Sequence, residues 1–169
     1  MSIPTQAEMN LIVLMLMADG KERSRAQTKA AVRQHLNLSE NEYNLKTSSG
    51  VRVYESRVGW SMSYLARANM LRNVKRGVYV ITDFGSSCAK QYSDSKRFMQ
   101  FLKQTISNNN PWKSSVEDKT NSQSNETTNN EVIENTDESS PQEQIDAAFK
   151  QINDELQENL LKHILDKDP

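Results

Sequence analysis

The sequence lacks several features that would restrict its function at once. It has a single cysteine, Cys88, so no intrachain disulfide can form, which suits a protein of the reducing cytoplasm. The apolar run LIVLMLMA, at residues 11–18, has only eight residues, whereas a membrane-spanning helix needs about 20. No Lys or Arg precedes this run, as one would in a secretory signal peptide. We therefore expect a cytoplasmic protein with no membrane partner, and we interpret the run as a buried helix.

Residues typical of catalytic and metal sites are also sparse. His35 and His163 stand alone on predicted helices, and the sequence has no glycine-rich phosphate loop and no cluster of metal ligands. Cys88 has no histidine partner and is interpreted as a small buried residue. The triplet Glu117-Asp118-Lys119 lies in a polar segment with no strand to fix its geometry. We therefore expect no catalytic residue, no metal site and no cofactor.

The charges are distributed very unevenly along the chain. Residues 1–106 hold 16 Lys and Arg against 8 Asp and Glu, a net charge of +8. Residues 107–169 hold 5 against 14, a net charge of −9. This asymmetry is typical of a polyanion-binding domain with an acidic tail, although a well-solvated surface would have a similar composition.

Capping boxes predict where the first helices begin. In each box a hydroxyl side chain is followed three residues later by Glu or Gln, and the pair satisfies backbone N–H groups at the helix start. The three boxes are Thr5 with Glu8, Ser24 with Gln27, and Ser39 with Glu42. The helices that they open are predicted to end near Ala18, near Leu36 and before Ser48-Ser49-Gly50.

The segment VRVYESRVGWSMSYLARANML, at residues 51–71, is predicted to become helical near Tyr54. At 100° per residue one face is apolar and predicted to be core: Tyr54, Val58, Ser61, Met62, Leu65 and Ala68. The opposite side carries Ser56, Trp60, Ser63 and Arg67, with Arg57 and Tyr64 on a flank. A tryptophan among serines and arginines is unusual for a solvated face and favours a binding role. The alternative, that Trp60 packs under the first helix or the hairpin, stays open.

A short β-hairpin is predicted next. Leu71–Val74 and Val78–Ile81 can pair around a turn at Lys75-Arg76-Gly77, where glycine can adopt positive φ. Thr82 is then placed to cap a further helix to about Gln91, and residues 95–106 have the apolar spacing of another.

The composition changes sharply after residue 106. Residues 107–140 are dominated by polar and acidic residues that cannot bury enough surface to order, so we predict a disordered linker. Ser140-Pro141-Gln142-Glu143 has the features of a helix start, and an apolar stripe follows at Ile145, Phe149, Ile152, Leu156, Leu160 and Ile164. Residues 141–169 are thus predicted to form an amphipathic helix. Its stripe needs a partner: a second copy, the N-terminal domain or another domain.

These elements predict a mainly α-helical fold with a small β-hairpin, in the order of a winged helix-turn-helix domain at residues 1–106. Such domains insert the helix before the hairpin into the major groove, while the hairpin, or wing, lies along the phosphates. We therefore expect duplex DNA as the partner. The predicted contact residues are Arg57, Trp60, Ser63, Tyr64 and Arg67 on the helix, and Lys75, Arg76 and Gly77 on the wing.

Four stretches give the chain a family resemblance. IPT…LMLMADGKERS, RVGWSMSYLARANML, KRGVYVITDFG and SPQEQIDAAFKQINDELQENLLKHI together resemble the Mrr-type restriction endonucleases. The resemblance covers residues 3–92 and 140–165. It implies a modification-dependent, type IV restriction enzyme with an N-terminal winged helix, a helical segment and a C-terminal nuclease.

The chain departs from that family pattern at its end. The nuclease expected after residue 165 would hold Mg²⁺ with an Asp and with a Glu or Gln two residues before a Lys, and the sequence ends at Pro169. We therefore interpret the chain as a non-catalytic DNA-binding module, whose longer parent would be a Mg²⁺-dependent endonuclease. The alternatives are a cytoplasmic transcriptional regulator that dimerises through residues 141–165, and a winged helix used as a protein–protein adaptor.

Overall fold

A computed structural model describes residues 2–109 and 138–167. Seven helices and three short strands follow one another in this part of the chain: α1 (Gln6–Met17), β1 (Arg23–Ser24), α2 (Arg25–Leu36), α3 (Glu40–Asn44), α4 (Val53–Arg67), β2 (Leu71–Lys75), β3 (Val78–Ile81), α5 (Asp83–Gln91), α6 (Ser95–Asn108) and α7 (Pro141–Leu165). The fold is therefore mostly helical with a small sheet, as predicted. The predicted linker, residues 107–140, falls largely outside the described residues. Its first residues extend α6 to Asn108, and its last three lead into α7.

The helix starts are set locally, as the sequence indicates. Thr5, Ser24, Ser39 and Ser140 all form complete capping boxes with the residue three positions later. Thr82 caps α5 by accepting a hydrogen bond from the Gly85 N–H at 3.0 Å. Each cap satisfies N–H groups that a helix start leaves without intrahelical partners.

The sheet has a third strand that the sequence analysis did not predict. Its order is β1-β3-β2, and both pairings are antiparallel. β1 has only two residues, with Arg23 paired to Tyr79, too few for a periodic signal in the sequence. This strand ties the start of α2 to the wing.

The turn of the wing is shorter than predicted. Lys75 pairs with Val78 instead of belonging to the turn, and the register shifts between Asn73 and Lys75. Arg76 and Gly77 alone form the connection, and Gly77 has a φ of 76°. The extra residue in β2 allows a tight two-residue turn, for which positive φ is favourable.

The predicted core face of α4 is confirmed. Tyr54, Val58, Ser61, Met62, Leu65 and the following Ala68 are all buried. They pack in one cluster with α1 and α6, whose largest fully buried side chains include Phe98, Met9 and Leu14. A buried amide links the helices as well: Gln6 Nε2 donates to Asn10 Oδ1, the Arg57 carbonyl and Ser61 Oγ at 2.9–3.1 Å. Gln6 Oε1 is buried without a hydrogen-bond partner in the described part of the chain, so this burial has a cost, but the bonds from Nε2 to the Arg57 carbonyl and Ser61 fix α1 against α4.

Ser56 is an exception on α4. It was predicted on the outward side, but it is only 9% exposed. Its hydroxyl hydrogen-bonds with that of Ser140 at 3.0 Å, so the start of α7 covers it. Residues distant in sequence determine this burial, which the helical periodicity of α4 could not reveal.

Among the described residues, α7 contacts the rest of the chain through its first residues. Ser140 is fully buried and residues 141–144 are half-buried, but every residue from 147 to 167 is exposed. The helix that carries the predicted apolar stripe is therefore present. None of the described residues covers the stripe, and Phe149 is 64% exposed. None of the helices in the described part of the chain has the length and apolar content needed to cross a bilayer.

Candidate nucleic-acid interface

The wing presents two basic side chains at its tip. Lys75 and Arg76 are both exposed, and Gly77 provides the positive φ that the turn needs. Lys75 and Arg76 were predicted to contact phosphates, and Gly77 was predicted to permit the turn and a close approach to the DNA. The three residues are consecutive and lie at the end of the sheet where the chain turns from β2 into β3.

Arg25 lies beside the wing and was missed by the sequence analysis. Its N–H donates to the Gly77 carbonyl at 3.3 Å, and its guanidinium donates to Tyr79 Oη at 3.3 Å, 5.9 Å from the centre of that ring. Arg25 itself is exposed. The sequence did contain a signal for a binding role of Arg25. A cation at the first position of a helix is unfavourable to the helix dipole, and no acidic residue in the first turn of α2 compensates for it.

A groove of about 380 Å³ continues from Arg25 between α2 and α4. Its lining residues are Arg25, Lys29, Val51, Glu55, Ser56, Gly59, Trp60 and Ser63. Trp60 and Ser63 are half-buried in it. Gly59 has no side chain, and the position that a Cβ would occupy is empty. The groove is therefore open beside Trp60. Two of the predicted residues thus share this groove.

Trp60 also contacts an aromatic neighbour one turn along α4. The ring centres of Trp60 and Tyr64 are 5.9 Å apart, with an interplanar angle of 35°. The tryptophan therefore lies on the outward groove, where one face of the indole is supported by Tyr64. A supported ring of this kind is suited to stacking on a planar group.

The electrostatics of the groove are dominated by cations. Glu55 accepts hydrogen bonds from Lys29 at 3.2 Å and from Arg52 at 3.1 Å. Burial alone would raise the pKa of Glu55, but these two cations outweigh it, and the pKa is lowered. The carboxylate therefore stays ionised and neutralises one of its two partners. With Arg25 nearby, this part of the surface keeps a positive charge.

Arg57, which was predicted as a DNA contact, has partners within the chain in this structure. Its Nε and Nη2 donate to the two carboxylate oxygens of Glu143, at 3.1 and 2.8 Å. Its Nη1 donates to the carbonyls of Pro4, at 2.6 Å, and Ile3, at 3.4 Å. The guanidinium is thus engaged within the chain, and Arg57 holds the start of α7 instead of facing solvent.

The remaining predicted residues of α4 lie on two sides. Arg67 is exposed at the end of the helix. Tyr64 lines a second cavity, of about 410 Å³, together with Met99, Leu102 and Pro141, so its free edge faces α6 and α7. Burial raises the pKa of its hydroxyl. The structure therefore separates Tyr64 and Arg57 from the groove that contains Trp60 and Ser63.

The described residues offer little for catalysis. No group of His, Cys, Asp and Glu within residues 2–109 and 138–167 could hold a metal ion. Cys88 is 2% exposed, as interpreted from the sequence, and burial raises the pKa of its thiol, which disfavours a reactive thiolate. Glu117–Lys119 lies outside the described residues.

Comparison with protein families gives a match over the N-terminal half of the chain. The family model described as Mrr N-terminal domain matches residues 7–91, just over half of the chain, from α1 to the end of α5. The match includes the wing, Arg25 and the whole of α4. Comparisons with curated proteins and with solved structures found no match.

Proposed function

The chain belongs to the Mrr N-terminal domain family, and from that premise we propose that it is the DNA-binding module of an Mrr-like restriction-system protein. One observation carries the proposal. The wing tip, Arg25 and the groove beside Trp60 form one continuous surface, because Arg25 contacts the wing through its backbone and lines the groove with its side chain. A basic surface next to a supported aromatic ring is suited to a nucleic acid.

In the proposed complex, α4 enters the major groove and the wing follows the backbone. Lys75, Arg76 and Arg25 contact phosphates, which position the protein without carrying sequence information. Ser63, Arg67 and Trp60 lie on the outward side of α4, where base edges differ in their donors and acceptors. Arg67 would read guanine or hold a phosphate, and Trp60 would stack on an exposed base or sugar.

We also propose that this chain does not cleave DNA and binds no cofactor. Strand cutting would require Mg²⁺ held by an Asp and by a Glu or Gln two residues before a Lys, in a nuclease domain of a longer parent protein. The proposed location is the cytoplasm, where such a protein meets DNA.

A second candidate is a transcriptional regulator that dimerises through α7. The exposed stripe on that helix favours it, since a regulator with two DNA-binding domains needs an association element of this kind. Neighbouring restriction or methylation genes would favour the first candidate, and an adjacent controlled operon the second.

The direct test is a fluorescence-anisotropy titration of a fluorescein-labelled mixed-sequence duplex of about 30 base pairs at several salt concentrations, covering several 10-base-pair turns. We expect binding whose affinity falls steeply with salt, because phosphate contacts release counterions. Absence of binding at 50 mM salt, an ordinary low-salt condition for such proteins, would reject both candidates in favour of a protein–protein adaptor.

A further inference from the structure

Four contacts hold the start of α7 and the residues just before it against α1, α4 and the turn that precedes α4. The Gln6 N–H donates to the Glu138 carbonyl at 3.2 Å, and the hydroxyls of Ser140 and Ser56 meet at 3.0 Å. Glu143 receives the two hydrogen bonds from Arg57. Asp146 Oδ2 accepts from the Ser49 hydroxyl at 2.7 Å and from its N–H at 3.4 Å. We refer to residues 138–146 with these contacts as the clasp.

The side chains that form the clasp contacts with α4 are largely shielded from solvent. The side chains of Arg57 and Glu143 are 14% and 17% exposed, and Ser140 is fully buried. The geometry of the ion pair is bidentate, the arrangement in which a guanidinium binds a carboxylate or a phosphate most strongly. Glu143 therefore occupies Arg57 in the way that a DNA phosphate would.

The position of the clasp on α4 determines its effect on DNA binding. Ser56 and Arg57 belong to the N-terminal half of α4, and Ser56 lines the same groove as Trp60 and Ser63, on the side of the helix that is proposed to face DNA. The major groove is about 12 Å wide and admits one helix, whereas a helix with its side chains is itself about 10–12 Å across. A helix that stays docked beside α4 would therefore obstruct entry of the N-terminal half of α4 into the major groove.

Charge adds to the steric obstacle. Glu143 and Asp146 sit at the end of α4 that would approach the DNA, and two carboxylates there oppose the phosphates. Within residues 2–109 and 138–167, no hydrogen bond or ion pair joins the wing tip to the clasp, so the phosphate contacts proposed for the wing stay accessible while α7 is docked.

We propose that the clasp and duplex DNA compete for the N-terminal half of α4, so that docked α7 holds the chain in a weakly binding state. The proposal rests on the proposed function. Release of the clasp frees Arg57 for a phosphate or a base, which is the role expected for it from the sequence. If α7 is docked in about nine molecules of ten, the apparent Kd is about tenfold weaker than that of the released state.

A reversible crosslink provides the first test. The Ser56 and Ser140 hydroxyl oxygens are in contact at 3.0 Å, so cysteines at these two positions bring their sulfur atoms together when α7 is docked and can form a disulfide. The full chain with Ser56→Cys and Ser140→Cys is oxidised with oxidised glutathione, and formation of the internal disulfide is verified by an intact mass that shows the loss of two hydrogens and no glutathione adduct. The two single variants are the controls.

We expect the oxidised double variant to bind the mixed-sequence 30-base-pair duplex at least about tenfold more weakly than the same sample after reduction. The single variants should bind equally in both conditions. Equal binding before and after reduction, or failure of the disulfide to form, would overturn the competition. Failure of the reduced samples and of the unmodified chain to bind at all would instead reject the proposed function.

A charge-matched pair of variants provides the second test. Glu143→Gln removes one negative charge from the clasp, and Glu158→Gln removes one from the exposed part of α7. If the clasp competes with DNA, Glu143→Gln lowers the Kd by up to about tenfold and speeds amide exchange at residues 141–146, while Glu158→Gln changes neither. Equal effects of the two variants would show that the tail acts through its net charge alone, and the competition would be rejected.

Discussion

The Arg25 N–H donates a hydrogen bond to the Gly77 carbonyl oxygen at 3.3 Å, and this contact joins the first residue of α2 to the tip of the wing. The two residues are 52 positions apart in the chain. Because of this contact, the exposed Arg25 lies between the wing and the groove beside Trp60. The wing and the groove therefore belong to one surface.

The first prediction concerns Arg25. Arg25→Ala should weaken binding to a mixed-sequence duplex and reduce the slope of log K against log salt by about 0.9, the value for one lost phosphate contact. Lys90→Ala, at the exposed end of α5, removes the same charge away from the proposed surface and should leave the slope unchanged. Anisotropy titrations between 50 and 200 mM salt measure both, a range over which such binding changes strongly. Equal slopes for Arg25→Ala and the unchanged chain would remove Arg25 from the interface.

The second prediction concerns the wing. Replacing Lys75 and Arg76 together by Ala should weaken binding to all sequences alike and reduce the salt slope by about 1.8, since phosphates carry no sequence information. The matched control replaces Lys96 and Arg97, two exposed cations at the start of α6, and should bind as the unchanged chain does. If the wing variant instead loses discrimination between sequences, the wing reads bases.

The third prediction concerns Arg67. Arg67→Ala should cost about 1–3 kcal/mol of binding free energy on a site selected from a random duplex pool, and much less on random DNA. The reason is that Arg67 lies on the outward side of α4, where a bidentate contact with a base would be lost. A loss of the same size on both kinds of DNA would assign Arg67 to a phosphate.

The fourth prediction concerns the stripe on α7, for which we propose association with a second copy. Phe149 is 64% exposed, and burying such a side chain stabilises a complex by roughly 1.5–3 kcal/mol. Phe149→Asp should therefore dissociate an oligomer, as measured by sedimentation equilibrium. Gln151→Asp introduces the same charge at an exposed position outside the stripe and should leave the mass unchanged. A monomeric unchanged chain would contradict self-association.

The fifth prediction concerns the pH dependence of the clasp. Burial alone would raise the pKa of Glu143, but hydrogen bonds from Arg57 and from the Ser140 N–H outweigh it, and the pKa lies below its ordinary value of 4.5. A carboxyl group with a lowered pKa stabilises the docked state above its ordinary pKa, and this contribution is lost as the pH falls through the lowered value. Asp146 has a lowered pKa too, chiefly because the Ser49 hydroxyl donates to it, so its effect has the same sign.

We therefore expect α7 to stay docked at neutral pH and to be released progressively below pH 4.5. Amide exchange at residues 141–146, corrected for the intrinsic pH dependence of exchange, measures the release. In Glu143→Gln the same residues should already exchange faster at pH 7, the ordinary neutral condition, and should depend less on pH. Protection that stays unchanged as the pH falls from 4.5 to the lowest value at which α1–α6 remain folded would show that the ion pair does not hold the clasp.

Local features of the chain were predictable from the sequence. The capping boxes at Thr5, Ser24 and Ser39 depend on residues three positions apart, so the helix starts follow from short stretches. The core face of α4 follows from its 3.6-residue period, and Gly77 follows from the positive φ of a tight turn. The family resemblance noted in these stretches is confirmed by the match at residues 7–91.

The tertiary structure alone decided which polar residues are free to bind. Arg57 and Arg67 are indistinguishable by residue type and both lie off the core face of α4, yet Arg57 is paired with Glu143, 86 residues away, while Arg67 is exposed. Arg25 joins the surface because two residues of β1 pair with β3. Helical periodicity describes how a segment is divided between core and surface, but contacts between distant segments determine which part of the surface is covered, because charged groups find partners through space and not along the chain.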